Sequence, residues 1–459
     1  MSTEPTTIQP QPNTLSPALP YDILFLLISE LDVKEDKQTL AAWARTASSF
    51  RDAAQARLYS AVTVVFQLIK GEMMDNVPST EKFFQSMARA PRLAEYVRHL
   101  DVALRSPTAA ERAAMESVVV TIGFPMRNLL RRLVNLIEYS ITVMPSHHFQ
   151  LFNRTETLDG YNKLKPKRVT ITGLIHFPLQ LIPIWCAGLR SLEIPCTVAT
   201  LPDVKFESLK RMDLESLTIS PPSAGLWDAT HEIKELLKTI RKLEYSLNLS
   251  HLKELHINAK LLSVDLSGIL SMCSNALTHL TFNAPYEALF CSSMLGLPTS
   301  KIHDVCPIVD LGRFTNLSQL VINGPIARGY MGTQPRFSGS FSKHVWGMAS
   351  SGCLPWVGAV LNTLALTRPT IGLSCLCLNL HIPHVQLSTG EIPWIDIVDP
   401  LLRLKHHFRR IEIVISFKDR FVPFPTHSSW STYLESNAQL KKLGTDVVKL
   451  KKLDRIVAL

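Results

Sequence analysis

Glycine is scarce, 19 residues in a chain of 459, and nowhere clusters into the loops that cradle phosphates or dinucleotides. No G-x-S-x-G nucleophile elbow is present either. A zinc-protease helix needs two histidines one turn apart, and "HEIKE" at His231 has Glu235 in the second place. The sequence therefore offers no catalytic constellation, and no cofactor is expected. The longest apolar run, "LIHFPLQLIPIWCAGL" from Leu174, is broken by His176, Pro178, Gln180 and Pro183, which excludes it as a membrane span. The opening "MSTEPTTIQPQPNTLSP" has neither the basic start nor the apolar centre of a signal peptide; residues 1–14 read as a disordered tail. A cytoplasmic or nuclear location is the expectation, with no membrane partner.

Cysteines are few and dispersed: the eight lie at 186, 196, 273, 291, 306, 353, 375 and 377, without the spacing of a disulfide scaffold. Cys375 and Cys377 in "LSCLCLNLHI" alternate onto one strand face and, lacking a second Cys or His pair, read as core and not as a metal site. The adjacent pairs His147-His148 and His406-His407 would diverge in regular structure, so loop or surface placement is expected. The formal charge of +9 is modest, and its basic residues sit in short clusters: "LKPKR" from Leu164, "LKHHFRR" from Leu404 and "KKLGTDVVKLKKLDR" from Lys441. In the last of these, Leu440, Leu443, Val447, Leu450 and Val457 have helical spacing, which predicts a terminal capping helix with a lysine-rich solvent face. A nucleic-acid partner is thus a weak alternative.

Apolar residues are concentrated in residues 15–64. Ile23, Leu27 and Leu31, beside Leu24, Ile28 and Leu31, form two helical rows after Leu19-Pro20, a start that suits proline's fixed backbone angle. Asp22 complements the helix dipole, and the apolar arc is wider than one neighbouring helix can cover. Leu40, Trp43, Ala44 and Ala47 give a second helix. Phe50, Ala54 and Leu58 give a third, with Ser49 as its expected N-cap; "SAVTVV" then alternates as a strand. Three helices in so short a segment make a marginal core. The surplus apolar surface implies a partner or docking on the rest of the chain.

Leu19-Pro20, Ile23, Leu24, Ile28, Leu31-Asp32, Leu40, Phe50 and Leu58-Tyr59 resemble an F-box, with Ala47 and Phe50 where that family commonly has cysteine and tryptophan. The following "KFFQSMARAPRLAEYVRHLDV" is similar to the segment after the F-box in many fungal members. The resemblance implies that these ten residues (Leu19, Pro20, Ile23, Leu24, Ile28, Leu31, Leu40, Phe50, Leu58 and Tyr59) bind a Skp-type adaptor and, through it, a cullin-RING ubiquitin ligase.

Residues 65–459 carry a recurring triplet, L-x-x-L-x-L. It appears as "LRSLEI" from Leu189, "LKELHI" from Leu252, "LTHLTF" from Leu277, "LSQLVI" from Leu317 and "LNTLAL" from Leu361, with looser copies "VRHLDV" from Val97, "LKRMDL" from Leu209 and "FRRIEI" from Phe408. Stacking such units makes a continuous core. The copies resemble leucine-rich repeats, irregularly spaced, with a degenerate repeat or inserted helix expected between Leu277 and Leu317 and between Leu317 and Leu361. Three residues past the last leucine, where that family places asparagine, stand Pro285, Pro325 and Pro369, which puts a regular asparagine ladder in doubt. Helices are expected at "SPTAAERAAMES", capped by Thr108, and at "DATHEIKELLKTIRKL", with Ile233, Leu236, Leu237 and Ile240 on one face. Residues 327–352 read as a long loop.

The fold class expected is therefore α/β: a three-helix F-box followed by an irregular leucine-rich-repeat-like solenoid with a mainly parallel curved sheet and a C-terminal capping helix. Leu192, Leu255, Leu280, Leu320 and Leu364 are expected to point inward at equivalent positions. The alternating residues face the other side of each strand. Those are Ser191 and Glu193, Arg211 and Asp213, Glu254 and His256, His279 and Thr281, Gln319 and Val321, and Arg410 and Glu412. Their mixed charge suits a protein target on the concave face. The expected role is a non-catalytic substrate receptor, against a repeat scaffold without ubiquitin function.

Overall fold

The computed structural model describes residues 21–33, 35–46, 48–69, 72–74, 78–105, 130–148, 165–175, 177–186, 188–195, 198–199, 211–220, 230–244, 246–260, 266–284, 309–325, 353–366, 373–382, 394–405, 408–417, 437–444 and 448–452. The tail at 1–14, Leu19, Pro20, the Thr108 helix, the loop at 327–352 and His406-His407 lie outside them.

Three helices open the described chain: α1 (Tyr21–Glu30), α2 (Lys37–Thr46) and α3 (Ser48–Leu58). The last begins at Ser48, so Ser49 lies within its first turn and not at the cap. Asp32 and Asp36 turn the chain between α1 and α2: the Asp36 carboxylate accepts from Asp32 N at 2.9 Å, and the Asp32 carboxylate accepts from Glu35 N at 3.0 Å. The helices enclose a core of their own, built from Ile28, Leu40, Ala53 and Ala54 with Leu31, Trp43, Ala44, Phe50 and Leu58 packed around it. Trp43 and Phe50 meet at 5.8 Å between ring centroids. Arg57 Nε donates to the Leu31 carbonyl at 3.1 Å and so ties α3 to the end of α1.

The rest of the described chain is built around one large, mostly parallel sheet. Its thirteen strands, numbered in chain order, are β1 (Ala61–Ile69), β2 (Glu72–Met74), β3 (His99–Arg105), β4 (Glu138–His148), β5 (Arg168–Ile175), β6 (Ser191–Pro195), β7 (Ser216–Ser220), β8 (Glu254–Lys260), β9 (His279–Asn283), β10 (Gln319–Pro325), β11 (Cys375–Ile382), β12 (Arg410–Phe417) and β13 (Val448–Lys452). Spatial order follows chain order from β3 to β13, with β1 beside β3 and the short antiparallel β2 at the outer edge. Ala61–Val64, the last residues of the 15–64 segment, belong to this sheet.

The apolar triplets place the core. Period-two geometry puts alternate residues on one face, and the register joins them into rows: Leu192 with Leu217, Leu255, Leu280, Leu320, Leu376 and Ile411, and Ile194 with Ile219, Ile257, Phe282, Ile322, Leu378 and Ile413. All are buried in a single cluster with helix residues such as Leu236 and Ile240 of the Thr230–Lys242 helix and Ile397 and Leu401 of the Ile395–Leu404 helix. Phe282 meets Trp356 of the Leu354–Leu366 helix edge-on at 5.7 Å. Less regular strands extend the same rows: Tyr139 and Ile141 pair with Val169 and Ile171.

The edges are finished differently. Near the β1 edge the fully buried Thr80 hydroxyl accepts from Val65 N and donates to Val65 O, each at 2.9 Å, which satisfies strand groups that β2 does not reach. At the other edge β13 contains Lys449, Lys451 and Lys452, a composition that discourages further strand pairing.

Several expectations need correction. "LNTLAL" is helical, the end of Leu354–Leu366. Leu361 and Leu364 are buried and Leu366 is 84% exposed, so Leu364 does not share the sheet position of Leu320. L-x-x-L fits one helix face as well as a loop leucine followed by a strand leucine, but the third leucine, five residues after the first, lands on the far side of a helix. The strand at that place is "LSCLCL", with Leu373, Leu376 and Leu378 buried. "LKRMDL" enters the large sheet one copy later: Leu214, Leu217 and Ile219 line β7, whereas Met212–Asp213 pairs with Leu247–Asn248 in a separate two-stranded sheet. The C-terminal capping helix is only Ala438–Lys441. Gly444, at φ 97°, ends that turn, and "VKLKK" from Val448 forms β13, with Val448 and Leu450 paired to Ile413 and Ile415. Cys375 and Cys377 are half-buried on the face opposite Leu376 and Leu378, not in the core. His147-His148 closes β4, paired with Leu174 and Ile175.

Candidate functional site

Two surfaces stand out as accessible among the described residues. The first is α1. Ile28 turns into the helical core, whereas Ile23, Phe25, Leu26 and Leu27 are 42%, 44%, 61% and 45% exposed. Four large apolar side chains exposed within one helix exceed the scattered apolar residues of an ordinary surface.

The ten residues assigned to adaptor binding divide accordingly. Ile23 is exposed on α1. Ile28 and Leu40 are buried, and Leu31, Phe50 and Leu58 pack against them, so these five build the module and α1 presents its surface. Tyr59 packs on the sheet core. Leu24 lies in α1, with its side chain outside the described set, as are Leu19 and Pro20. Phe25, Leu26 and Leu27 are the exposed residues that the motif assignment passed over. Their signal was the width of the apolar arc.

The second surface is the accessible face of the sheet. Register brings Ser191, Glu254, His279, Gln319, Cys375 and Arg410 into one row, and Glu193, Thr218, His256, Thr281, Val321, Cys377 and Glu412 into the next. Arg211 and Asp213 are not brought to these rows. They pair with each other at 3.7 Å beside the two-stranded sheet, where a hydrogen bond from Asn248 Nδ2 at 2.5 Å holds the Asp213 carboxyl below its usual range. Charges on the open face are largely matched: Arg410 bonds Glu412, and Glu193 accepts from Ser220 Oγ at 2.8 Å. Burial lowers the His256 imidazole below its ordinary value, against the opposing pull of Glu254. His256 is accordingly a neutral donor and acceptor on this face at neutral pH.

One more row was readable and not read. Asn258, Asn283, Asn323 and Asn379 each follow the last apolar residue of a triplet. Asn283 Nδ2 donates to the Asn258 carbonyl, Asn323 Nδ2 to Asn283 Oδ1 at 3.1 Å, and Asn379 Nδ2 to Asn323 Oδ1 at 2.9 Å. Here an amide ladder forms one residue past the apolar pair, not at the position occupied by the prolines. It joins β9, β10 and β11 side chain to side chain and reaches the backbone of β8, whose register with β9 shifts between Ile257 and Lys260.

Farther toward β1 the same face carries Thr63, His99, Asp101, Glu138, Ser140, Arg168 and Thr170, which line a cavity of about 160 Å³. Among the described residues no group of three or more His, Cys, Asp or Glu could hold a metal ion, and no helix is long and apolar enough to cross a membrane. No protein-family model matches the chain, and no curated protein matches it.

Proposed function

We propose that the chain is a non-catalytic substrate receptor of the F-box type, whose N-terminal helices dock on a Skp-type adaptor while a leucine-rich-repeat-like solenoid holds a target protein. One observation carries this reading: α1 exposes Ile23, Phe25, Leu26 and Leu27 from a helical module that already has its own core. A helix that served only to cap the sheet would turn such residues onto the sheet. The resemblance of residues 19–59 to an F-box names the partner that would cover them. The rows from Ser191 to Arg410 and from Glu193 to Glu412 supply the target surface, and their mixture of acid, base, hydroxyl and thiol suits a protein more than a phosphate backbone, which calls for a uniformly basic face. Ubiquitin transfer itself then belongs to catalytic parts in other chains, in the cytoplasm or nucleus.

The test is co-purification of the full chain with a Skp-type adaptor. Phe25→Asp with Leu27→Asp places charge on the exposed side of α1 without touching Leu40, Ala53 or Ala54. Adaptor capture should be lost while the cooperative unfolding of the sheet is unchanged. Capture that survives the double substitution would refute α1 as the docking surface, and no capture by the unaltered chain would leave the reading of a repeat scaffold with no ubiquitin role.

A further inference from the structure

The cavity on the open face beside β1 has a defined charge pattern. The Glu138 carboxylate is already engaged on both sides, with Oε2 3.0 Å from His99 Nδ1 and Oε1 3.2 Å from Arg168 Nη1. Asp101 is not so provided. Its Oδ1 is shielded from solvent and has no hydrogen-bond partner among the described residues, while the residue, partly exposed, lines the cavity between Thr63 of β1 and Ser140 of β4. A carboxylate that has lost water on one side and gained no donor is held at a cost unless a cation compensates it from its open side. The neighbouring donors cannot serve, since Arg168 and His99 are turned to Glu138. A space of about 160 Å³ is below the size of ordinary cofactor and small-molecule pockets and suits a single side chain, and the flanking Thr63, Ser140 and Thr170 hydroxyls can accept hydrogen bonds from a donor-rich head group.

We propose that this cavity is a subsite for one lysine or arginine side chain of the bound protein, with Asp101 as its counter-charge. The proposal rests on the open sheet face being the target surface, and it makes the N-terminal end of that face, β1 to β5, the place where a basic residue is selected. None of the cavity residues was among the target-binding residues assigned from the sequence, although "VRHLDV", which holds His99 and Asp101, was read there as a strand.

Side-chain mimics test the cavity with neither target nor adaptor present. Butylammonium and ethylguanidinium should bind the full-length protein in ligand-observed NMR, and sodium butyrate should not compete. Asp101→Asn, which keeps the shape, should weaken both cations by about tenfold or more, as expected for loss of a charged hydrogen bond. Ser140→Phe, which fills the cavity from its wall, should abolish binding, and Glu412→Gln at the far end of the face should leave it unchanged. Asp101→Asn should also raise the unfolding temperature, because it removes an uncompensated charge. Cation binding that survives Asp101→Asn, or butyrate binding in place of the cations, overturns the proposal and leaves the rest of the face as a target surface. Loss of adaptor capture in the α1 variant bears on neither result.

Discussion

The amide ladder predicts an ordering of stabilities that strand propensity does not. Asn323 stands in its middle, donating to Asn283 Oδ1 at 3.1 Å and accepting from Asn379 Nδ2 at 2.9 Å. Asn323→Ala removes both bonds and leaves an acceptor and a donor, each half-buried, without their partners. A typical intramolecular hydrogen bond contributes about 0.5–1.5 kcal/mol net, and stranding a buried partner costs about 1–3 kcal/mol. Since these groups are half-buried and water can reach part of them, the lower ends apply, and the loss comes to about 2 kcal/mol. Asn379→Ala strands one ladder group, Asn323 Oδ1, and should cost about half as much. Asn323→Thr separates the ladder from propensity: threonine is the better strand former, by well under about 1 kcal/mol. If propensity governed, Thr would stabilise; if the ladder governs, it should destabilise nearly as much as Ala. The assay is urea unfolding of the full chain followed by tryptophan emission, with Trp356 and Trp394, buried on the helices that pack against the sheet, reporting that part of the molecule and the slope required to stay constant. Equal losses for Asn323→Ala and Asn379→Ala, or a gain for Asn323→Thr, would show that the ladder does not set the order of stabilities.

Two further outcomes follow from close contacts. Gly358 sits in the Leu354–Leu366 helix where an added Cβ would overlap the Asp396 carbonyl oxygen of the neighbouring helix, so Gly358→Ala should lower the melting temperature. Alanine's helix advantage of about 1 kcal/mol is outweighed by overpacking of about 1–3 kcal/mol or more at a backbone contact, and a raised melting temperature would disprove the close crossing. Under native conditions iodoacetamide should label Cys375 and Cys377 and spare Cys186, Cys273 and Cys353, as read by peptide mass spectrometry. Burial pushes the Cys273 and Cys353 thiols up to about 12 from an ordinary 9.0. They stay protonated in the fold while the unfolded chain releases its protons, so the stability they supply is whole below pH 9 and falls as pH rises toward 12. Cys353→Ala should make that alkaline decline shallower, and an unchanged decline would mean that the thiol is not buried.

The sheet was legible because its core is written in short range. Leu252, Leu255 and Ile257 lie within six residues, and each such copy states both the strand and the face that is buried. The same compactness explains the error at Leu361: the first two leucines fit a helix face as well as a loop leucine leading into a strand, and only Pro355 in the first helical turn and the long apolar run through Trp356 and Val360 distinguish a helix. The C-terminal segment failed for the converse reason, since Leu440, Leu443 and Val447 keep helical spacing across Gly444, whose positive φ interrupts what the spacing continues. The candidate sites divide along the same line. α1 was visible because its apolar arc is a property of ten consecutive residues. The Asp101 cavity draws Thr63, His99 and Asp101, Glu138 and Ser140, and Arg168 and Thr170 from four strands separated by long connections, and two of those strands carry Tyr139 and Val169 where the triplet has leucine. No residue in it has an unusual neighbour in sequence. Its character comes from one carboxylate being satisfied by flanking strands and another being left open, a difference that exists only once β1, β3, β4 and β5 are in register. The open face is thus encoded twice: the buried half of each strand by its own leucines, and the chemistry it displays by the strands beside it.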